Sequence, residues 1–157
     1  MTAVVVHAAV RVARMLSDSV LKALNAVHHA LVKVSGGRLG WTASKMMVVD
    51  LTTIGRKTGQ PRSVMLTSPV QEDERLVVVA SRAGNDHHPA WYLNLRDNPE
   101  VEVSMKGKSN VLMQARTASP EERARLWPEV TAVYQDYAEY QTQTEREIPL
   151  VILEPRE

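Results

Sequence analysis

The sequence predicts an α+β fold, in which six short, mostly antiparallel strands form a β-barrel with helices on its outside. Short apolar runs separated by turn residues recur between residues 46 and 153, and only two helical segments interrupt them. This pattern lacks the regular alternation of strand and helix that a parallel sheet needs. A long amphipathic segment precedes the first run, so we divide the chain into an N-terminal helix, residues 1–37, and a barrel domain, residues 38–157.

The length and composition of the chain indicate one globular domain. A chain of 157 residues can bury about 70% of the surface that its unfolded form exposes, and 44% of its residues are hydrophobic. No residue is cysteine, which excludes a disulfide scaffold, a thiolate metal site and a cysteine nucleophile. We expect a cytoplasmic protein, and the sequence leaves its oligomeric state open.

The N-terminal segment, residues 3–35, is predicted to form an amphipathic helix. Apolar residues recur at steps of three and four and so share one face: Leu16, Val20, Leu24, Val27, Leu31 and Val34. Basic and polar residues occupy the other face, and Gly36 and Gly37 favour a helix end. The apolar stretch comes before Arg11 and Arg14, the reverse of the order in an export signal. The helix either packs on its own barrel or docks peripherally on an anionic membrane surface, at the inner face of the cell membrane, or on a partner.

Strands are predicted where apolar and β-branched residues cluster between turn signals. The six segments are residues 46–54, 62–70, 76–81, 101–105, 111–115 and 148–153. A glycine-flanked turn joins the first two, and a polar link from Gln71 to Arg75 joins the next two. The fourth and fifth strands alternate apolar with polar residues, as expected for a hairpin with one buried face.

Two helices are predicted within the barrel domain. The first runs from His88 to Arg96, with Pro89 in its first turn. The second starts at Ser119, which can cap the helix while Glu122 completes a capping box. We expect this helical region to continue to about residue 142, with a break near Pro128.

The sharpest local feature is the turn Gly55-Arg56-Lys57-Thr58-Gly59-Gln60-Pro61-Arg62, which we call the basic turn. Three cations and a hydroxyl lie close together there, with no acid nearby. Such a turn can hold a phosphate or a carboxylate through backbone N–H groups, the threonine and the cations. It is not a Walker loop, because the order of its glycines and lysine differs from that motif.

Other functions find little support in the sequence. His28-His29 and His87-His88 are adjacent pairs without an acidic cluster, so we predict no metal site. The basic residues lack interleaved aromatic residues and a reader motif, so we predict no nucleic-acid partner. No Ser-His-Asp arrangement or pair of catalytic carboxylates stands out.

Three segments of the chain carry a family signature. The first is the run from Leu51 to Arg62, which includes the basic turn. The second is His88-Pro89-Ala90-Trp91-Tyr92-Leu93-Asn94-Leu95. The third begins with Glu121-Glu122-Arg123-Ala124 and continues through Tyr134, Tyr137 and Tyr140 to Pro155. Together, over residues 36–155, they resemble the deazaflavin (F420)-dependent nitroreductase family of actinobacteria and relatives.

The resemblance implies a split β-barrel, similar to the FMN-binding split barrels, that binds coenzyme F420, a deazaflavin with a phosphodiester and a glutamate tail. The positions that match those holding the anionic tail are Arg56, Lys57, Thr58 and Arg62. The positions that match the surroundings of the ring and its side chain are Ala80, Ser81, Arg82, Ala90, Trp91 and Asn94. Ser63, Met65 and Leu66 complete the implied cofactor-binding set.

The same resemblance implies an oxidoreductase that passes a hydride from the reduced deazaflavin to a small organic acceptor, such as a quinone, a nitro compound or a conjugated enone. The hydride chemistry belongs to the cofactor, so the protein needs to bind, to orient and to supply a proton. Ser81 and Tyr137 are the candidate proton donors. The implied acceptor pocket consists of Thr67, Tyr134, Tyr137 and Tyr140.

Two departures from the family pattern affect this site. Met65-Leu66-Thr67 stands where the family often has Pro-Leu-Tyr, and Ala83-Gly84 stands where it usually has two glycines. We expect the first to alter the acceptor pocket and the second to alter coenzyme affinity. The alternative enzyme is an oxidoreductase of the same fold that binds FMN. The alternative that is not an enzyme is a non-catalytic protein that binds deazaflavin or docks on membranes.

Overall fold

The structure, a computed structural model, describes residues 18–34, 42–43 and 45–156. Its helices are α1 (Asp18–Val34), α2 (Ala90–Asp97), α3 (Pro120–Val133) and α4 (Asp136–Thr142), with a short 3₁₀ helix at Arg82–Gly84. Its strands are β1 (Thr42–Ala43), β2 (Met46–Ile54), β3 (Pro61–Ser68), β4 (Val70–Glu72), β5 (Arg75–Val79), β6 (Glu100–Met105), β7 (Lys108–Thr117) and β8 (Leu150–Pro155).

All described strands join one curled antiparallel sheet, in the order β1-β2-β6-β7-β8-β5-β4, with β3 also paired to β2. Only Pro69 separates the end of β3 from the start of β4 in the chain, although these strands lie at the two ends of the sheet. The chain itself therefore holds the two ends together, and the sheet curls into a half-barrel.

The two faces of the sheet bury two separate cores. Successive residues of a strand point to opposite faces, so Val78 and Val77 belong to different cores. We call the first the α2 core, because Trp91 and Leu95 of α2 pack there. We call the second the α3–α4 core, because Leu126 of α3 packs there with residues of α4. The sheet thus has helices on both faces, as an α+β half-barrel.

The strand count differs from the six that the sequence predicts. The described residues hold eight strands, one of them the two-residue β1. The strand expected over residues 62–70 is divided at Pro69, which lacks the N–H that a continuous ladder needs. The expected polar link from Gln71 to Arg75 is instead a tight hairpin, in which Asp73 has a φ of 55°. The antiparallel character and the positions of the other strands are confirmed.

The helices of the barrel domain largely confirm the prediction. Helix α2 lies where expected, with Pro89 just before its first residue. The Ser119 side chain accepts a hydrogen bond from the Glu122 N–H, and the Glu122 carboxylate accepts one from the Ser119 N–H, as a capping box requires. The break expected near Pro128 is wrong, because α3 continues to Val133. Pro128 is exposed, so water can satisfy the carbonyl that its missing N–H leaves without a partner.

Helix α1 covers residues 18–34 of the expected N-terminal helix, whereas residues 3–17 and the pair Gly36-Gly37 lie outside the described residues, so the full length of that helix stays a prediction. Asn25 links α1 to β3, donating to the Ser63 carbonyl at 3.4 Å and accepting from the Met65 N–H at 2.8 Å. Within residues 18–34, 42–43 and 45–156, none of the helices combines the length and hydropathy needed to cross a bilayer.

Candidate functional site

The basic turn connects β2 to β3 and has an ordered backbone. The Gly55 N–H donates to the Gln60 carbonyl at 2.8 Å, and the Gly59 N–H donates to the Gly55 carbonyl at 2.7 Å. A Cβ at Gly55 would lie 2.8 Å from Thr58 Oγ1 and 3.2 Å from the Gln60 carbonyl oxygen, so any other residue would require the turn to shift. Gly59 has a φ of +67°, which glycine adopts without strain. The sequence at this turn therefore specifies its shape.

The cations of the basic turn are available to a ligand. Arg56, Lys57 and Arg62 are all exposed. None of the ion pairs formed within the described part of the chain involves these three side chains. Three unneutralised positive charges on an ordered turn favour an anion, since charge-assisted hydrogen bonds to phosphate or carboxylate are among the stronger ones in proteins.

Asn94 ties the basic turn to helix α2. Its side chain is buried, and its Oδ1 accepts from the Arg56 N–H at 3.2 Å and from Arg56 Nη1 at 3.1 Å. Its Nδ2 donates to Thr53 Oγ1 at 3.2 Å. Much of the hydrogen-bonding capacity of this amide is therefore used to fix the first cation of the turn. Asn94 thus fixes the position of Arg56 relative to α2.

The chain leaves β5 through a strained loop, residues 80–85, which we call the β5 loop. The Ala80 N–H donates to the Pro149 carbonyl at 3.0 Å, and the Gly84 N–H donates to the Ser81 carbonyl at 3.0 Å. Arg82, Ala83 and Gly84 have φ values of 45°, 51° and 76°. A left-handed conformation costs a residue other than glycine about 1–2 kcal/mol, so the surroundings must hold this loop in place.

The β5 loop also lies against helix α4. A Cβ at Gly84 would lie 2.8 Å from the carbonyl oxygen of Tyr140 and 3.1 Å from the Gln143 side chain. The side chain of Ala83 packs against the α3–α4 core. The second position of the expected family glycine pair thus tolerates no side chain, whereas the first accepts the methyl group of alanine at a cost in backbone strain.

Three tyrosines at and just before α4 form an aromatic cluster. The rings of Tyr134 and Tyr137 lie 5.1 Å apart at 75°, and those of Tyr137 and Tyr140 lie 6.2 Å apart at 72°, both edge-to-face. The Tyr137 and Thr67 hydroxyls share a hydrogen bond of 3.1 Å. The four residues expected to line one pocket are therefore brought together.

Burial keeps the three tyrosine hydroxyls protonated. Burial raises the pKa of Tyr137, and the hydrogen bond with Thr67 only partly offsets that effect. Burial also raises the pKa of Tyr140. For Tyr134, burial and then the Asp136 carboxylate raise the pKa. All three phenols are neutral at physiological pH and can donate hydrogen bonds.

The remaining expected residues fall in two places. Leu66, Ala80 and Trp91 meet at the α2 core, whereas the alternation of β3 places Thr67, Met65 and Ser63 on its other face. The side chains of Met65 and Leu66 therefore point to opposite faces of the sheet. Ser63 is exposed, and its Oγ lies 2.7 Å from Thr52 Oγ1.

Three more expected residues lie between Ala80 and Trp91 along the chain, namely Ser81, Arg82 and Ala90. Ser81 is buried at the start of the β5 loop, Arg82 is partly buried within it, and Ala90 is exposed at the first turn of α2. Thr58 is exposed at the tip of the basic turn, where its hydroxyl accepts from the Gln60 N–H at 3.3 Å. From Arg62 to Thr67 the strand advances by about 17 Å, which separates the basic turn from the tyrosine cluster.

Two further residues of this region have no signal in the sequence. Arg146 follows α4 and reaches back to the β5 loop and to His88 through polar contacts. Asp136 is 7% exposed, and its Oδ2 has no hydrogen-bond partner among the described residues. Both depend on contacts between segments far apart in the chain, or on the packing of α4, so local patterns do not identify them.

Comparison with known proteins identifies related chains. The sequence profile of a family described as F420H(2)-dependent quinone reductase matches residues 25–155. An F420H(2)-dependent quinone reductase of Mycobacterium tuberculosis strain H37Rv is 34% identical over 149 residues, which cover 92% of this chain and 99% of that protein.

Solved structures give the same result for the fold. A structure described as an F420-H2 dependent reductase (FDR-A) matches with a TM-score of 0.60 and 40% identity, over 68% of this chain and 93% of that one. A second, described as a domain-swapped dimer, matches with a TM-score of 0.66 and 34% identity, over 82% of this chain and 96% of that one. Both matches cover nearly the whole of the related chain.

Proposed function

Since the chain belongs to the F420H(2)-dependent quinone reductase family, we propose that the basic turn and the tyrosine cluster form the two ends of its coenzyme and acceptor site. The protein is an oxidoreductase that uses coenzyme F420, and hydride transfer to a quinone fits its family. The assignment of individual residues to coenzyme and acceptor is our proposal, as is the arrangement of the curled sheet as a split barrel around the coenzyme.

The observation that carries the proposal is the basic turn. The anionic tail of F420, with its phosphodiester and glutamate carboxylates, needs positive charge and N–H donors at one end of the site. Arg56, Lys57 and Arg62 supply three exposed cations on an ordered backbone, free of ion pairs with the described carboxylates. The hydroxyls of Thr58 and Ser63 lie on the same turn and on the strand that follows it. These residues fit the tail and would hold it.

The ring end of the coenzyme belongs between β3, the β5 loop and α2. The partly buried Leu66, packed on the buried Ala80 and Trp91, makes this region apolar, which would exclude water and favour a planar ring. Ser81, buried at the start of the loop, offers a hydroxyl to the same region. When bound, reduced F420 supplies a hydride, and the protein supplies the binding surface, the orientation and the proton.

The acceptor belongs beside the tyrosine cluster, in our proposal. Reduction of a quinone to a hydroquinone takes up one hydride and one proton, or two electrons and two protons in all. Tyr137 holds its proton at physiological pH, since burial further raises the pKa of a phenol that is already neutral there, and its hydroxyl shares a hydrogen bond with Thr67. Tyr137 would donate that proton at the acceptor oxygen and regain one from water, while Tyr134 and Tyr140 form the walls of the pocket. Nitro compounds and conjugated enones are alternative acceptors for the same arrangement.

The test of this proposal is a pair of measurements on the full-length protein. Fluorescence titration with F420 and, separately, with FMN measures the choice of cofactor, and we expect tight binding of F420 alone. Steady-state oxidation of reduced F420 by menadione and by a nitroaromatic then measures turnover. Binding of FMN at micromolar concentration with no detectable binding of F420 would exclude this site assignment.

The exposed face of α1 supports a second proposal, that of peripheral contact with an anionic membrane, at the cytoplasmic face. Val20, Leu24 and Val27 share one stripe of the helix and are 39%, 54% and 66% exposed. Such a stripe on a helix that also carries Lys22 matches surface-binding helices, and quinones with apolar tails reside in bilayers.

Vesicle sedimentation tests this contact. Full-length protein should pellet with phosphatidylglycerol vesicles and less with phosphatidylcholine vesicles, and salt should release it. Leu24→Glu should abolish pelleting, whereas Ala26→Glu, on another face of the same helix, should reduce it only slightly. Pelleting that is equal in all three proteins would contradict docking through this stripe.

A further inference from the structure

Arg146 makes a set of contacts that converge on the β5 loop. Its Nη2 donates to the Ser81 carbonyl at 2.7 Å, its Nη1 to the Ala80 carbonyl at 3.2 Å, and its Nε to the Asn85 carbonyl at 2.8 Å. The guanidinium thus bonds both ends of the loop at once. A planar group with five N–H donors is suited to such a bridge, and an ammonium group is not.

The same guanidinium reaches the segment that leads into α2. Arg146 Nη1 lies 3.3 Å from His88 Nδ1, and the His88 ring packs on the Tyr92 ring with centroids 4.9 Å apart. Burial lowers the pKa of His88, and so does the positive charge of Arg146, which is consistent with a neutral ring that accepts at Nδ1.

No ion pair among the described residues explains the position of this side chain. Within residues 18–34, 42–43 and 45–156, none of the ion pairs involves Arg146, and its guanidinium partners are backbone carbonyls and an imidazole. Burial lowers the pKa of Arg146, because removing the charged guanidinium from water is unfavourable. A partly buried cation that bonds to backbone carbonyls of one loop stabilises the conformation of that loop above all.

The loop needs such support because of its backbone. Arg82 and Ala83 are held at φ values of 45° and 51°, where residues other than glycine are strained. Inside the loop, the Gly84 N–H donates to the Ser81 carbonyl and the Asn85 N–H donates to the Arg82 carbonyl. These are short-range bonds that do not anchor the loop to the rest of the chain. Loss of Arg146 would remove three hydrogen bonds that join the carbonyls of Ala80, Ser81 and Asn85 to the segment after α4.

We propose that Arg146 is a positioning residue of the coenzyme site, which holds the β5 loop in its left-handed conformation so that Ser81 and the start of α2 face the deazaflavin ring. This inference rests on the proposed function, because the ring end of the site includes Ser81, Ala80 and Trp91. Arg146 acts through the backbone and makes no contact of its own with the coenzyme.

The experiment compares Arg146→Met and Arg146→Lys with a matched control. Arg116→Met removes another partly buried arginine with several hydrogen bonds, to the Glu122 and Glu154 carboxylates, and none of these bonds involves the β5 loop. Two quantities are measured on full-length protein: the dissociation constant of F420, by fluorescence, and hydrogen–deuterium exchange at residues 80–85 without coenzyme. The thermal midpoint of each variant serves as the measure of global stability.

We expect Arg146→Met to weaken F420 binding by about tenfold or more. The substitution removes several hydrogen bonds from a charged group to the β5 loop, and that loop lines the proposed ring site. Exchange at the Gly84 and Asn85 amides should become faster, with Arg146→Lys intermediate in both measurements. Arg116→Met should lower the thermal midpoint while leaving the F420 dissociation constant and the exchange at residues 80–85 unchanged. If Arg146→Met does not fold, the comparison of Arg146→Lys with wild type decides in the same way.

The remaining outcomes distinguish the positioning role of Arg146 from the proposed coenzyme site. F420 affinity at the wild-type level in both Arg146 variants would overturn the positioning role, and so would unchanged exchange at the loop. Failure of the wild-type protein itself to bind F420 would overturn the proposed coenzyme site. In that case the exchange measurement would still report whether Arg146 holds the loop.

Discussion

The hydroxyl groups of Tyr137 and Thr67 lie 3.1 Å apart and join helix α4 to strand β3. Tyr137 is 6% exposed, and either oxygen of the pair can donate the hydrogen bond. The pair lies at the opposite end of β3 from the basic turn. The proposed proton donor and the proposed anion site therefore lie at the two ends of one strand.

The first prediction concerns proton donation by Tyr137. Tyr137→Phe keeps the ring and removes the hydroxyl, so turnover with menadione should fall by up to about a hundredfold, since general acids typically contribute that much or more and water substitutes in part. The affinity for F420 should change little. Steady-state oxidation of reduced F420 and a fluorescence titration provide the two measurements.

The matched control for this variant is Tyr92→Phe. Tyr92 also pairs its hydroxyl with a threonine, Thr117, at 3.0 Å, and it is as buried as Tyr137. Loss of the Tyr92 hydroxyl should affect stability without lowering turnover. If both variants lose turnover to the same extent, the effect of Tyr137→Phe is structural and the donor assignment is wrong.

The second prediction concerns the cations of the basic turn. Lys57→Ala and Arg62→Ala should each weaken F420 binding by about tenfold or more, because each charge-assisted contact contributes about 1.5–3 kcal/mol. The salt dependence of the dissociation constant should decrease in both variants. Lys106→Ala is the control, since it removes a cation from another exposed turn, between β6 and β7. Equal affinity in wild type and all three variants would place the tail of the coenzyme elsewhere.

The third prediction concerns the walls of the acceptor pocket. Tyr134 is partly buried at the edge of the cluster, so Tyr134→Ala should open the pocket without unfolding α4. The apparent KM for menadione should rise, whereas kcat should change less, as expected for loss of uniform binding. A wild-type KM for menadione and for a nitroaromatic would show that Tyr134 is only a packing residue.

The fourth prediction concerns stability in acid. Arg116 bonds the Glu122 carboxylate at 2.7 and 2.9 Å and that of Glu154 at 3.0 Å, and the Arg116 hydrogen bonds lower the pKa of Glu122 to about 2. A carboxyl group whose pKa is lowered by folding stabilises the protein above its ordinary pKa, and this contribution is lost as the pH falls towards the folded value. Stability should therefore decrease between about pH 5 and pH 2, partly through Glu122.

Thermal unfolding of variants tests this network. Arg116→Met should cost about 1–3 kcal/mol at neutral pH, or about 2–4 °C for each kcal/mol, and the cost should shrink in acid. Arg125→Met removes the partner of Glu72 in a more exposed pair and should have little effect at any pH. A loss of stability in Arg116→Met that does not depend on pH would contradict the electrostatic explanation.

Most of the fold could be predicted from the sequence, because local patterns decide it. The Ser119–Glu122 capping box and Pro89 mark helix starts that the structure confirms. Pro69 illustrates the limit: its effect on the strand is local, but the curl that places β3 and β4 at opposite ends of one sheet depends on pairings distant in the chain. Pro128 illustrates another limit, since an exposed helix face tolerates a proline that sequence rules interpret as a break.

The candidate site was predictable where its residues are close in sequence. The basic turn and the tyrosines stand in continuous segments, so their chemistry is visible without the structure. The contact of Tyr137 with Thr67 joins residues 70 positions apart, and that of Arg146 with Ser81 joins residues 65 apart. Such contacts follow from the packing of α4 on the sheet, which no local pattern specifies.

The most direct test of the central assignment is the oxidation of reduced F420 by menadione in the presence of the full-length protein. The account predicts enzyme-dependent, saturable oxidation that requires F420 and that reduced FMN does not support. It also predicts that Lys57→Ala raises the KM for reduced F420, whereas Tyr137→Phe lowers kcat. Oxidation no faster than the reaction without protein, in preparations that bind F420, would contradict the assignment of this chain as a quinone reductase.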